Sequence, residues 1–162
     1  MILCTHAIVG GALASLFPSH PVVVVAAGFA SHFVIDAIPH WDYPLRSISV
    51  GPGARNELVL NGARLWDASL IGFDAFSGLA LAVCLFATPG TVAAVLLGAL
   101  AAMLPDPLQF VHSLIPWWPL STLQKFHRWI HTKRQLDWPI GVSSQIAFVI
   151  VVVGTMALLR WH

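Results

Sequence analysis

Long apolar segments almost free of charge limit what this chain can fold into more than any motif does. Only 9% of its residues are charged and 57% are hydrophobic, where a soluble domain carries roughly a quarter charged residues. With a mean hydropathy of +0.80, there is too little polar surface to cover a globule in water, and the composition predicts an integral membrane protein. The 162 residues leave room for four or five helical spans of about 20 residues each, so residues 1–162 read as a single polytopic membrane domain. A net charge of +1 offers no basic surplus for a nucleic-acid partner.

Breaks at proline, glycine and charge clusters divide the chain into five apolar segments: Ile2 to Phe17, Val22 to Ile38, Ala68 to Ala87, Thr91 to Leu104, and Ile140 to Leu159. The first is short for a span and is expected to be tilted or shallow. Two polar stretches remain, His40 to Asp67 and Pro105 to Pro139. No charged segment precedes the opening MILCTHAIVGGALASLF, so a cleaved signal peptide is not expected. Alternation of five spans puts both polar stretches on one side. They carry Arg46, Arg55, Arg64, Lys125, Arg128, Lys133 and Arg134, against Arg160 alone on the other side. The positive-inside rule then makes the long loops and the N-terminus cytoplasmic. Trp41, Trp66, Trp117, Trp118, Trp129 and Trp138 fall at the same boundaries and Trp161 at the opposite one, as an aromatic belt would. Cys4 and Cys84 lie near opposite ends of their segments, too far apart for a disulfide.

The polar residues are gathered in one leaflet. Asp36, Asp42, Glu57, Asp67, Asp74, Asp106 and Asp137, all the acids of the chain, map to one half, with His6, His32, His40, His112, His127 and His131. Only His20 and His162 map to the other. Charge inside a membrane is costly and is ordinarily paired or functional. In SHFVIDAIPH, His32 and Asp36 stand at i and i+4, on one helical face, and His40 continues the stripe past Pro39. In KFHRWIHTK, His127 and His131 repeat the spacing with Arg128 between them. A single buried histidine is more often a hydrogen-bonding residue between helices than a ligand. Two such pairs together with Asp106 and His6 exceed what packing needs, since interhelical hydrogen bonds contribute only about 0.6 kcal/mol each. The set predicts a divalent-metal site, large enough for two ions. Imidazole and carboxylate without thiolate suit zinc first, and manganese or iron second.

The same motifs carry a family resemblance. LPD followed by HRWIHT resembles the LPD…HRxxTHS signature of bacterial inner-membrane metal-dependent hydrolases, a family sometimes labelled LexA-binding. GFASHFVIDAIPHWDYP resembles that family's G-x-x-SH-x-x-x-D segment, and Thr5-His6 its N-terminal histidine. The HxxxD element is also similar to that of zinc-dependent phospholipase C. In this chain the SHxxxD element precedes LPD rather than following the HRxxTHS element. The family's DxDH reads Asp106-Pro107-Leu108-Gln109, which lacks a second acid, and Asp74 is a candidate substitute. The resemblance implies metal-dependent hydrolysis at the bacterial inner membrane.

The expectation is therefore an all-α integral membrane protein of about five transmembrane helices, with a metal pocket at the cytoplasmic interface. His6, His32, Asp36, His40, Asp74, Asp106, His127 and His131 are its candidate ligands. The expected activity is hydrolysis, of a phosphoester at the membrane surface, with Arg128 contacting phosphate through its planar fork. Membrane lipids are the expected partners, and Arg46, Arg55 and Arg64 read as anchors to anionic headgroups. His112, Asp42 and Asp137 read as interfacial polar residues. Two other classes remain open. A divalent-cation transporter also buries His and Asp, although transporter sites lie near the midplane between repeats. A non-catalytic scaffold would use the metal only to lock helices together.

Overall fold

The computed structural model describes residues 1–49, 56 and 60–161. Arg55, Glu57 and His162, and the side chains of Arg160 and Trp161, lie outside the described residues. The described chain forms helices α1 (Leu3–Ala14), α2 (Pro21–Asp36), α3 (Gly62–Phe86), α4 (Val92–Met103), α5 (Pro105–Leu114), α6 (Trp118–Ile130) and α7 (Trp138–Trp161).

α1 is the axis of the fold, with α2, α3, α4 and α7 packed against it. Its residues are apolar on every side because neighbours cover every side: Ala7, Ile8 and Ala12 are all buried. Small residues let the backbones close in. A Cβ on Gly98 would lie 2.6 Å from Cβ of Ala14, and one on Gly78 would lie 2.6 Å from Cα of Cys4. Val95, Ala99 and Met103 of α4, with Ala82 and Phe86 of α3, complete the core around Leu3, Ala7 and Ile8. Cys4 and Cys84 are free thiols.

This arrangement corrects the expectation of five spans. Among the described residues, only α3 and α7 are long and apolar enough to cross a membrane. α4 and α5 add a third at most, as a pair bent by 46°. The bend falls at Pro105, which has no N–H to continue the ladder of α4 and whose ring crowds the preceding turn. α1 has 12 residues and α2 has 16, or about 18 and 24 Å at the helical rise, short of a hydrocarbon core of about 30 Å. Their apolar composition has another cause. α1 is a core helix, and α2 buries Val24, Gly28, His32 and Asp36 against its neighbours. With two or three spans, the alternation that assigned both polar stretches to one cytoplasmic side no longer follows.

α3 and α7 do present the surface that a membrane would cover. Phe73 and Phe76 are more than 70% exposed on α3, and Ile150, Val151 and Leu158 are exposed on α7. The second polar stretch is not a loop but largely two further helices, α5 and α6. The two polar stretches meet: the Thr132 N–H donates to the Asp36 carbonyl at 2.8 Å and the Leu136 N–H to the His40 carbonyl at 2.9 Å. His40 and Gln135 form a parallel bridge. The segment after α6 is thus laced to the segment after α2, and the two His/Asp motifs of the sequence are brought side by side.

Candidate metal centre

Asp36, the last residue of α2, is the hub. One turn earlier on the same face stands His32, whose Nε2 is 3.2 Å from Asp36 Oδ2. α6 ends beside them and sets His127 Nε2 at 3.2 Å from the same oxygen and 3.3 Å from His32 Nε2. Asp106, in the first turn of α5, brings Oδ1 to 3.6 Å from His32 Nε2. Four ligands at about 2.0–2.2 Å around a tetrahedral ion stand about 3.3–3.6 Å from one another. The separations among His32, Asp36 and His127, and that of Asp106 from His32, are close to those edges, and all four ligand atoms lie within 4.8 Å of each other.

Asp36 also belongs to a second group, with His40 and His131. His40 Nε2 lies 3.9 Å from Asp36 Oδ1 and His131 Nε2 lies 3.8 Å from Asp36 Oδ2, somewhat wider than the first group. A cation already sits against this group. The Met1 α-amino group is 2.7 Å from Asp36 Oδ1, 2.7 Å from His40 Nε2 and 3.0 Å from Asp42 Oδ1. Burial works against ionisation of Asp42, yet the His40 contact and the ammonium together hold its carboxyl well below the usual carboxylate range. Burial and the neighbouring Asp74 push the Tyr43 hydroxyl up.

The outer contacts of the rings favour ligation. Nδ1 of His32 donates to the Ala102 carbonyl at 2.8 Å, Nδ1 of His40 to that of Ile38 at 2.7 Å, and Nδ1 of His131 to that of Thr132 at 2.8 Å. A proton fixed on Nδ1 leaves the Nε2 lone pair turned toward Asp36, the tautomer that a metal requires. His6 adds to this. It is fully buried and stacks on His32 at 4.1 Å. Its Nε2 approaches Asp36 Oδ1 to 3.2 Å, but neither ring nitrogen finds a hydrogen bond of good geometry. Buried polar atoms are rarely left without a partner, and an ion among these residues would supply one.

Six of the other seven candidate ligands therefore gather around Asp36. Asp74 does not join them. Its oxygens accept the N–H groups of Leu3 at 2.7 Å and Cys4 at 3.1 Å, so it caps the N-terminus of α1. Arg128 is exposed and lines a cavity of about 500 Å³ that Asp36, Asp106, His127 and His131 also line. His112 bonds to Ser121 at 3.0 Å, away from the cluster.

Two neighbours escaped the sequence reading. Gln145 of α7 donates to the Trp41 carbonyl at 2.8 Å and accepts from the Ile2 N–H at 3.2 Å, tying α7 to the start of α1. The side-chain nitrogen of Gln109 lies 3.0 Å from His127 Nδ1 and 3.3 Å from Asp106 Oδ1. The signal was its i+3 spacing from Asp106, which places both on one face of α5. Half a turn of the Gln109 amide would present its carbonyl to a proton on Nδ1 and leave His127 Nε2 for a cation, in exchange for the N–H it donates to Asp106. Gln109→Leu is expected to weaken metal affinity about 10- to 100-fold in a chelator-competition titration; unchanged affinity would remove Gln109 from the site.

Fold and site together define an all-α protein with membrane-compatible helices and a buried His/Asp cluster suited to a divalent metal. Comparison with protein-family models, with curated proteins and with solved structures finds no match for this chain.

Proposed function

We propose that this protein is a membrane-embedded metal-dependent hydrolase acting on a phosphoester at the membrane surface. One observation carries the reading: the His/Asp cluster forms a wall of an open cavity that also holds Arg128 and Lys133. A purely structural site has no need of a cavity or of cationic side chains facing it. Zinc is the first candidate for the His32, Asp36, Asp106 and His127 group, since two imidazoles and two carboxylates suit it. His6, His40 and His131 would complete a second position that shares Asp36, where an ion would take the place of the Met1 ammonium. The motif resemblance to bacterial inner-membrane metal-dependent hydrolases supports the same chemistry.

A divalent ion here would lower the pKa of a bound water and polarise the phosphoryl oxygens. Water supplies the hydroxyl that adds to phosphorus, the bond from phosphorus to the ester oxygen breaks, and the proton leaves with the departing alcohol. Arg128 would hold two phosphoryl oxygens in its fork, and Lys133 adds positive charge on the same side. The non-catalytic scaffold keeps one argument in its favour, because four protein ligands already make a full tetrahedral set. The test uses purified protein in nanodiscs, stripped of metal and then reloaded with zinc or manganese. The proposal expects hydrolysis of phosphomono- or diesters that disappears on stripping and returns on reloading. Protein that binds metal stoichiometrically and hydrolyses none of the series would favour the scaffold.

The site's end of the fold is placed at the cytoplasmic face of the bacterial inner membrane in this reading, because Arg46, Arg64, Lys125, Arg128, Lys133 and Arg134 lie in the segments that meet there. Arg134→Cys, made in a Cys84→Ser background, is expected to resist a membrane-impermeant thiol reagent in intact cells and to react after permeabilisation. Reaction in intact cells would reverse the orientation.

A further inference from the structure

Polar and apolar residues line the cavity unevenly. Those from the end of α6 and the segment after it are polar: His127, Arg128, His131, Thr132, Lys133 and Gln135. A second, mixed wall from the start of α1, the segment after α2, α3 and α5 brings Ile2, Leu45, Ile48, Ile71 and Phe110, together with Asp42, Tyr43, Asp106 and Gln109. Bare phosphate or a small polar ester would leave the apolar residues of this second wall in contact with water. A cavity with a cation-binding, basic side and an apolar side matches a ligand that is itself divided in the same way.

The apolar side is also built to hold its shape. Residues 45–48 are part of a connection, where backbone N–H groups have no helical partner. Asp67 of α3, fully buried, gathers three of them in succession: Arg46 N–H at 2.9 Å, Ser47 N–H at 2.7 Å and Ile48 N–H at 3.1 Å. The Ser47 hydroxyl adds a fourth bond to the same carboxylate at 2.8 Å. The Arg46 guanidinium lies over Trp66 at 4.4 Å. Consecutive N–H groups closing on one carboxylate form an anion nest, and here the anion belongs to the protein. The connection is thereby pinned to α3, and Leu45 and Ile48 are fixed as a wall rather than left as a mobile loop.

We propose that the strap of residues 45–48, pinned by Asp67, forms a hydrocarbon-binding wall, and that the substrate is a phosphate ester carrying an alkyl chain. This rests on the phosphoesterase reading and names the class of ester. The phosphate goes to the basic, metal-binding side, and the first methylenes of the chain lie against Leu45, Ile48 and Ile71. Asp67 is a positioning residue in this account: it touches the strap and no ligand.

The test is a binding series on metal-loaded protein in nanodiscs, with inorganic phosphate, ethyl, butyl and hexyl phosphate as probes. Affinity is expected to rise with chain length, by about fourfold for each methylene that becomes fully buried. Leu45→Gln and Ile48→Gln are expected to flatten that rise while metal content is retained. Partition of the probes into lipid is the same for all three proteins, so a difference in slope reports the wall. Asp67→Asn is expected to flatten the rise as well, through loss of the strap's position. Equal affinity for inorganic and hexyl phosphate, or a slope that Leu45→Gln and Ile48→Gln leave unchanged, would overturn the proposal. If no probe binds, inorganic phosphate included, this proposal and the phosphoesterase reading fail together. If affinity follows chain length but hydrolysis is absent, the ligand class stands and the hydrolase reading alone fails.

Discussion

Replacing Asp36 with Asn is expected to remove bound metal and hydrolytic activity together. Asp36 is the shared member of both ligand groups, and its two oxygens have His6, His32 and His127 within 3.2 Å. Asn has the same size, so packing at the end of α2 changes little. It has no charge to balance a cation, however, and its NH₂ would donate to the Nε2 lone pairs that a metal needs. Even outer contacts of a metal site are worth about 10- to 100-fold in affinity, so loss of a shared ligand should exceed a hundredfold. Metal measured on the same samples as activity checks this. Retention of full metal occupancy in Asp36→Asn would mean that the ion, if any, lies elsewhere.

Arg128→Ala separates a catalytic metal from a merely bound one. Arg128 is exposed on α6 beside His127 and lines the cavity, and a guanidinium cannot ligate a cation. Its removal is expected to leave metal content and folding unchanged while hydrolysis falls about a hundred- to a thousandfold. That corresponds to about 2.7–4 kcal/mol of transition-state stabilisation, the usual cost of losing one oriented donor to developing negative charge. Full activity in Arg128→Ala would withdraw the phosphate-binding role from this residue and leave the metal site intact. Loss of metal in the same variant would instead mark Arg128 as a structural support of the α6 terminus.

Much of the His/Asp cluster was legible in the sequence because it follows from local geometry. The i, i+4 spacings of His32 with Asp36 and of His127 with His131 are properties of single helices, and both motifs sit at helix ends, where the chain can bring them together. Helix count was not legible in the same way. An apolar segment such as Ile2 to Phe17 reads alike whether lipid or protein covers it, and only tertiary contacts show that α1 is wrapped by α2, α3, α4 and α7. Length was the warning: Ile2 to Phe17 holds fewer residues than the roughly 17–25 of a helical span. Asp74 illustrates the other limit. Its type and leaflet suit a ligand, but the free N–H groups at the start of α1 claim its carboxylate, a long-range partnership that spacing cannot reveal. The hold of Asp67 on the strap is a long-range partnership of the same kind.

The central claim is that His and Asp side chains from α1, α2, α5 and α6 together hold a divalent ion. It is tested most directly by X-ray absorption on the purified protein, with elemental analysis of the same sample. The account predicts one or two equivalents of metal, zinc foremost. The shell should contain only nitrogen and oxygen, at about 2.0–2.2 Å, with an imidazole signature and no sulfur. Absence of metal after purification in metal-containing buffer, or a sulfur ligand from Cys4 or Cys84, would contradict it.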